Sequence, residues 1–296
     1  MDTITEQRLA DAVLARMAEC KNARLQQIMA SLVRHLHAFA HEVELSESEW
    51  FAGIGFLTQT GQWCDERRQE FILLSDVLGV SMLVDAINHR KSEGATESTV
   101  FGPFYREGAP DFLLGASIAG STAGEPVIVS GHVRDTSGTP IAGALLDVWQ
   151  TAPNGLYDTQ DPDQSGMNLR GKFRTDAQGR FEFRTVKPTS YSIPEDGPVG
   201  KMLRALGRHP YRPAHIHFIV SAPGFEPVTT HLFVAGDAYL DSDVVFGVKD
   251  SLVVDFVRHD SREEAATRNT SAPFYTVGYD FGLQPATAAA GTAPAT

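Results

Sequence analysis

Apolar residues in this 296-residue chain recur at two different periods, and the change between them near residue 98 limits the fold more than any other feature. Leu25, Ile28, Met29, Leu32, Val33, Leu36 and Phe39 are spaced by threes and fours, so residues 8–43 predict one or two amphipathic helices. Ser46-Glu47-Ser48-Glu49 has the form of a capping box that opens another helix, with Ser46 the cap and Glu49 reaching back. The apolar stretch from Phe71 to Asn88 predicts a further one. Beyond residue 125 the pattern becomes short strands broken by turns such as Thr136–Pro140 and Asp176–Gly179, and regularly spaced short strands predict a β-sandwich. The expected class is therefore α+β. A helical region covers 1–98, an antiparallel β-sandwich covers 99–284, and an Ala-, Thr-, Gly- and Pro-rich tail over 285–296 is expected to be disordered.

Composition narrows the function without choosing it. With 42% hydrophobic residues the chain can bury a full core. A net charge of −12 argues against nucleic acid and anionic membrane surfaces as partners, because both need basic patches. The sequence contains no apolar run of about 18 residues, and Met1 to Glu6 lack the basic start and apolar stretch of a signal peptide. Cys20 and Cys64 lie far apart in the expected helical region. They read as reduced thiols of a cytoplasmic protein.

The chemistry is concentrated between Tyr157 and His217. Arg212–Val220 reads as a strand in which apolar residues and histidines alternate, so His215 and His217 share one face. Two strand steps of roughly 3.3 Å put their Cα atoms ~6.5–7 Å apart. Metal–nitrogen bonds of about 2.0–2.1 Å then let both rings lean onto one ion. Tyr157 and Tyr191 each stand beside turn-forming residues, at expected strand ends where clefts form. If the four converge, they make an oxygen- and nitrogen-rich site suited to a hard, high-valent metal, with Fe(III) the first candidate. Holding a tyrosine as phenolate at neutral pH costs about 4 kcal/mol, which a trivalent cation offsets. The same residues have an ordinary reading, as two strand histidines and two tyrosines packed through their rings. Spacing leaves both open.

From about residue 70 to 257 the chain resembles the intradiol ring-cleavage dioxygenases, non-haem ferric enzymes that open catechols between their two hydroxyls. The resemblance is carried by Thr99–Tyr105, by Asp147–Gln150 followed by Gly155–Tyr157, by Tyr191–Pro194 and by Arg212–Phe218, matching in order and spacing as well as in letters. It implies Tyr157, Tyr191, His215 and His217 as ligands of Fe(III), with none substituted. It also implies that the diol displaces Tyr191, that departing bases remove its protons, and that the electron-rich ring reacts with O2 on the way to a cyclic anhydride and then a diacid. Arg212 would stabilise the developing ring anion by its fixed charge; its ordinary reading is a surface ion pair. His231 stands where catechol-cleaving members are expected to carry glutamine. It lies either behind the ligands or in a strand with no further role.

Within that family, the subset acting on hydroxyquinol (1,2,4-trihydroxybenzene) is the most similar, through Leu73–Gly79 and Asp241–Gly247. Asp76 is a carboxylate in an apolar helical stretch, which is costly unless paired. The third hydroxyl of hydroxyquinol would be a donor to it; a helix cap or ion pair is the alternative. The resemblance implies pocket walls from Leu73, Val100, Phe101, Gly102, Pro103, Phe104, Ile193, Pro194 and Val245, and a product 3-hydroxy-cis,cis-muconate, the enol form of maleylacetate. Catechol or chlorocatechol is the alternative substrate. The resemblance further implies a homodimer through the N-terminal helices, which in the family enclose a lipid-lined tunnel, and with it a bound lipid.

Four other readings are weaker. Gly166–Lys172 imitates a phosphate-binding loop, but Phe173 replaces the expected Ser/Thr and no helix is expected to follow. His37 and His41 are four apart on a helix without a third ligand in register, so a solvated face is expected. A non-catalytic β-sandwich module or a zinc hydrolase would share the architecture, but an intact tetrad argues against the first and paired tyrosines against the second.

Overall fold

The computed structural model describes residues 5–66, 68–164 and 166–286. Two compact units divide the chain, one ending at Gln62 and the other beginning at Trp63. In the first, α1 (Leu9–Ala15), α2 (Ala23–Glu42) and α3 (Glu47–Gln62) follow in order. The Asn22 side chain caps α2 by accepting from Leu25 N–H at 2.9 Å. The expected capping box opens α3: Ser46 N–H donates to Glu49 Oε2 at 2.9 Å, and Glu49 N–H donates to Ser46 Oγ at 3.4 Å. The apolar stripe of α2 is not buried, since Leu25, Ile28, Leu32, Leu36 and Phe39 stay 46–55% exposed.

The second unit starts with α4 (Glu70–Val77) and α5 (Val80–Asn88), where a single helix was expected. Gly79 divides them. It takes φ +73°, and its N–H returns to Asp76 O at 3.0 Å, ending α4 in a left-handed cap that residues with a Cβ rarely adopt. Hydrophobic periodicity continues across the break and so cannot show it. The composition break near residue 98 also differs from the contact boundary at Gln62, because α4 and α5 cluster with the sheets that follow.

Those sheets are built from β1 (Pro126–Asp135), β2 (Leu145–Trp149), β3 (Arg170–Arg174), β4 (Arg180–Val186), β5 (Tyr191–Ser192), β6 (Tyr211–Arg212), β7 (His215–Ser221), β8 (Val228–Val234), β9 (Val253–Val254), β10 (Val257–His259), β11 (Phe274–Gly278) and β12 (Phe281–Leu283). Helix α6 (Pro198–Ala205) lies between β5 and β6, and α7 (Arg262–Thr267) between β10 and β11. One sheet has the order β3-β2-β7-β8-β9. The other runs β10-β11-β1-β12 with β4 also on β1, and β5 pairs separately with β6. The expected antiparallel sandwich holds in most ladders, β1–β4, β2–β3, β2–β7, β7–β8 and β10–β11 among them, and a minority are parallel. β1 runs parallel to β11 and β12, and β8 parallel to β9. Period-two alternation reports which side chains share a face and carries no information about a neighbour's direction.

Both sheets contribute to one core: Val127, Val129 and Phe183 from one, Leu146, Val148, Ile216, Phe218, Val220 and Leu232 from the other. Because Ile216, Phe218 and Val220 point into that core, alternation turns His215 and His217 to the opposite face of β7. Gly166–Lys172 passes through a turn into β3, as expected of a phosphate-loop imitation. On α2, His41 Nδ1 is 3.0 Å from Glu6 Oε1. Pro285 bridges to Phe225 and Ala286 N–H donates to Gly224 O, so the first two residues of the expected disordered tail are held, while 287–296 lie outside the described residues. Among the described residues no helix is long and apolar enough to cross a membrane.

Candidate metal centre

β7 supplies His215 and His217, 2% and 1% exposed. The strand register sets Trp149 of β2 beside His217, and the two rings stack at 4.5 Å and 13°. Tyr157 follows β2 in a turn tied by Leu156 N–H to Asn154 Oδ1 and by Tyr157 N–H to Gln160 Oε1. Its ring stacks on Phe104 at 4.4 Å. Tyr191 opens β5, directly opposite Arg212 of β6.

These four side chains meet. Tyr157 Oη is 2.9 Å from His217 Nε2 and 3.3 Å from Tyr191 Oη, and His215 Nε2 is 3.1 Å from His217 Nε2. Two donors each about 2.0–2.1 Å from a common ion would stand about 2.9–3.4 Å apart at right-angled to tetrahedral geometry. The observed separations fall in that range. Protonation points the same way. His215 Nδ1 donates to Pro213 O at 2.7 Å, so its Nε2 presents a lone pair to the cluster. Burial, followed by Arg212, pushes the His215 pKa well below its ordinary value; burial, His215 and Arg212 do the same to His217. Both rings are therefore neutral, the state in which imidazole binds metal. Burial pushes the Tyr157 phenol well above 10, with Tyr191 adding to it against Arg212 and Arg170. A phenolate there needs a strong cation beside it. The donor set, its spacing and its neutral imidazoles fit a metal ion.

Arg212 lies in the same region but is no surface ion pair. It is 3% exposed, and its Nε and Nη2 meet Asp243 Oδ1 and Oδ2 at 3.2 and 3.3 Å. Burial opposes its charge, but Asp243 and the two phenols outweigh that and hold its pKa above the ordinary value. Nη1 sits 3.3 Å from His215 Nε2 and Nη2 sits 3.4 Å from His231 Nδ1. His231, whose place the sequence left open, belongs to the cluster. It faces His217 across the β7–β8 ladder, is 0% exposed, and has one nitrogen within 4.8 Å of those of His215 and His217. The guanidinium faces both His215 Nε2 and His231 Nδ1 and so does not separate the two rings. What distinguishes the tyrosine–histidine tetrad from the histidine trio is its two phenol oxygens, Tyr157 Oη 2.9 Å from His217 Nε2 and Tyr191 Oη 3.3 Å from Tyr157 Oη.

The expected pocket divides into two parts. Asp76, Val100, Phe101, Gly102 and Pro103 line a cavity of about 740 Å³ together with Ser81. Leu73, Phe104, Ile193, Pro194, Arg212 and Val245 do not line it: Phe104 covers Tyr157, Ile193 and Pro194 follow Tyr191, and Val245 N–H binds Asp243. Gly102 joins the two parts. With φ +77°, it would put a Cβ 3.1 Å from His217 Cε1, so any side chain here would crowd that ring and strain the backbone. Asp76 is 6% exposed, and burial raises its pKa against the hydrogen bond from Ser81 and the charge of Arg212.

Sequence reasoning missed the support behind Tyr157. Asp158, whose side chain is 0% exposed, binds Arg170 Nε at 2.9 Å and Arg106 Nη1 at 2.7 Å, and Arg170 lies 6.0 Å over the Tyr157 ring. Removing Arg170 leaves a buried carboxylate with one half-exposed partner. Arg170→Met is expected to cost about 3 kcal/mol, read as a lower urea midpoint; a loss under about 1 kcal/mol would mean that the pair behaves as an exposed one. The adjacency of Asp158 to Tyr157 was the only signal in the sequence.

Comparison with known proteins gives concordant matches. A family model described as Dioxygenase matches residues 100–285, and one described as Catechol dioxygenase N terminus matches residues 22–96. The chain is 52% identical over 285 residues to a 6-chlorohydroxyquinol 1,2-dioxygenase of Cupriavidus pinatubonensis, covering 96% of this chain and 99% of that one. It is 52% identical over 280 residues to a hydroxyquinol 1,2-dioxygenase of a Rhizobium species, covering 94% and 95%. A crystal structure of hydroxyquinol 1,2-dioxygenase from Pseudomonas putida superposes with TM-score 0.90 at 54% identity, covering 95% of this chain and 99% of that one.

Proposed function

The chain belongs to the intradiol ring-cleavage dioxygenases, and from that premise we propose that it cleaves hydroxyquinol between its adjacent hydroxyls, inserting both atoms of O2 to give 3-hydroxy-cis,cis-muconate. The observation that carries this reading is the convergence of Tyr157, Tyr191, His215 and His217 at 2.9–3.3 Å between neighbouring donor atoms. Two phenols with two neutral imidazoles favour Fe(III) over zinc or ferrous iron. When bound, the metal acidifies the two diol hydroxyls that it chelates.

The chain's own groups do the rest. With the metal bound, Tyr191 Oη, at the edge of the donor set, would stand as phenolate and take one of the two diol protons, and hydroxide from solvent would take the other. Tyr157, His215 and His217 remain in place, Tyr157 held by the Asp158–Arg170 pair and His217 by the Trp149 stack. Arg212 offers a fixed N–H donor and positive charge to the ring anion within a water-poor wall, where charge acts more strongly than in water. Asp76 takes the third hydroxyl from the cavity side.

The test is a visible spectrum of the iron-loaded protein with hydroxyquinol, then catechol, added anaerobically, followed by oxygen. A tyrosinate-to-iron charge-transfer band that moves to longer wavelength with diol, and a dicarboxylate product once oxygen enters, are the expected results. A colourless protein filled with zinc would overturn the reading. Asp76→Asn tests the substrate: kcat/KM for hydroxyquinol is expected to fall about 10- to 100-fold, with catechol changing far less. Equal losses on both would remove Asp76 from substrate choice.

A homodimer and a cytoplasmic location belong to the same proposal. The dimer is supported by the α2 stripe, whose apolar residues stay about half exposed. The same unit holds an apolar cavity of about 700 Å³, lined by Leu36, Phe39, Trp50 and Ile54 among others, that would take a lipid chain. A monomer by light scattering would overturn the dimer.

A further inference from the structure

Arg212 is gripped from two sides by residues to which the ring-cleavage reading gives no role. Asp243 follows a 3-10 turn, Leu240–Ser242, and its carboxylate is wrapped by its own loop. Oδ1 accepts from Val245 N–H at 3.3 Å and Oδ2 from Gly247 N–H at 2.9 Å, while the Asp243 carbonyl accepts from Phe246 N–H at 3.0 Å. Winding the loop this tightly holds Phe246, a bulky residue, at φ +59°, a left-handed conformation that only surrounding contacts can maintain. The loop is also tied to the cavity, since Thr99, a lining residue, donates from Oγ1 to Gly247 O at 2.9 Å.

The anchored carboxylate takes Arg212 through Nε and Nη2, the bidentate edge of the guanidinium. On the other side stands His231, buried and stacked on His215 at 4.6 Å and 21°, with Nδ1 toward Nη2. With one edge held by Asp243 and Nη2 also facing His231, Nη1 is left aimed at the donor cluster, 3.3 Å from His215 Nε2.

We propose that Asp243 and His231 are positioning residues that fix the guanidinium of Arg212 so that Nη1 meets the chelated diol, with Asp243 setting its direction and His231 closing the other side. They act through Arg212 and touch no substrate. The arrangement also links the aim of Arg212 to the cavity wall, through Gly247 and Thr99. A misdirected guanidinium keeps its charge but loses its angle, and an error of about 1 Å in a reacting group can cost about 10²-fold in rate.

A double-mutant cycle between Asp243→Asn and Arg212→Ala tests this in the iron-loaded enzyme, with kcat, KM, metal content and the resting charge-transfer band all measured. Asp243→Asn is expected to lower kcat about 10²-fold, with KM for hydroxyquinol, iron content and the resting band little changed. In the Arg212→Ala background the same change is expected to alter kcat by less than about threefold, because two residues acting as one unit are not additive. Losses that multiply, or Asp243→Asn with wild-type kcat, would overturn the proposal. If Asp243→Asn does not fold, His231→Leu, which removes the ring nitrogen facing Arg212 and no charge, carries the same cycle: a kcat loss that vanishes without Arg212 supports positioning, and a loss that persists, or no loss at all, refutes it. The inference rests on the ring-cleavage reading, and the two fail differently. Failure of that reading appears as a wild type that turns over no diol, failure of this one as an additive cycle in an active wild type.

Discussion

Replacing Tyr157 with phenylalanine is expected to lower ring cleavage by roughly 10³-fold or more, because loss of a group behind a ligand already costs 10- to 100-fold and this change removes a proposed ligand itself. The substitution is clean. It deletes only Oη, whose neighbours are His217 Nε2 at 2.9 Å and Tyr191 Oη at 3.3 Å, and it leaves the ring stacked on Phe104. The fold should lose about 1–3 kcal/mol at most for the vanished hydrogen bonds. Iron content, the charge-transfer band and oxygen uptake with hydroxyquinol should therefore fall together while the unfolding transition persists. Tyr275→Phe is the control: it also deletes a phenol, bonded to Glu125 at 3.2 Å in the other sheet, and should leave all three readings in place. Full activity in Tyr157→Phe would remove Tyr157 from the donor set.

Acid should destabilise the metal-stripped protein steeply, starting near pH 6.5. Burial places the folded pKa values of His215, His217 and His231 well below the ordinary histidine value, with neighbouring rings and Arg212 adding to the effect. Above about pH 6.5 both folded and unfolded chains hold these rings neutral, so they contribute no pH dependence. Below it the unfolded chain binds protons that the folded one refuses. Their stabilising contribution is thus present above the unfolded pKa and is lost as pH falls toward the folded pKa. Each ring contributes a slope of about 1.4 kcal/mol per pH unit, and the three approach about 4 kcal/mol per unit. Asp76 and Asp147, raised chiefly by burial, carry the opposite sign: their contribution is fully present below the unfolded carboxylate range and is lost as pH rises through the folded pKa. That window begins lower than the histidine one. Urea midpoints at pH 7.5, 6.5 and 5.5 read the slope directly. A flat series would mean that the rings accept protons within the fold.

Local features were legible where one element decides them. Ser46 and Glu49 cap α3 as their spacing requires, because both partners lie within one turn. His215 and His217 share a face because strand alternation is a property of one strand. The helix break at Gly79 was not legible, since apolar spacing runs through Leu78 and Val80 without interruption. The direction of β11 beside β1 was not legible either, since Val127 and Tyr275 are joined only by the folded chain.

The tetrad shows how the two kinds of information divide. Tyr157, Tyr191, His215 and His217 were identifiable by residue type, motif and order, because the chemistry that suits a hard cation is written in the side chains. Their separations of 2.9–3.3 Å, the place of His231 opposite His217, and the grip of Asp243 on Arg212 came only from the tertiary structure. The sequence by itself determined the α+β division, the ligand-type residues and the face on which the histidines sit. Packing decided which of those residues meet, which pocket residues line the cavity and which way Arg212 points. The physical reason is range. Periodicity and capping depend on neighbours a few residues apart, whereas register and long-range ion pairing depend on the packing of the complete core.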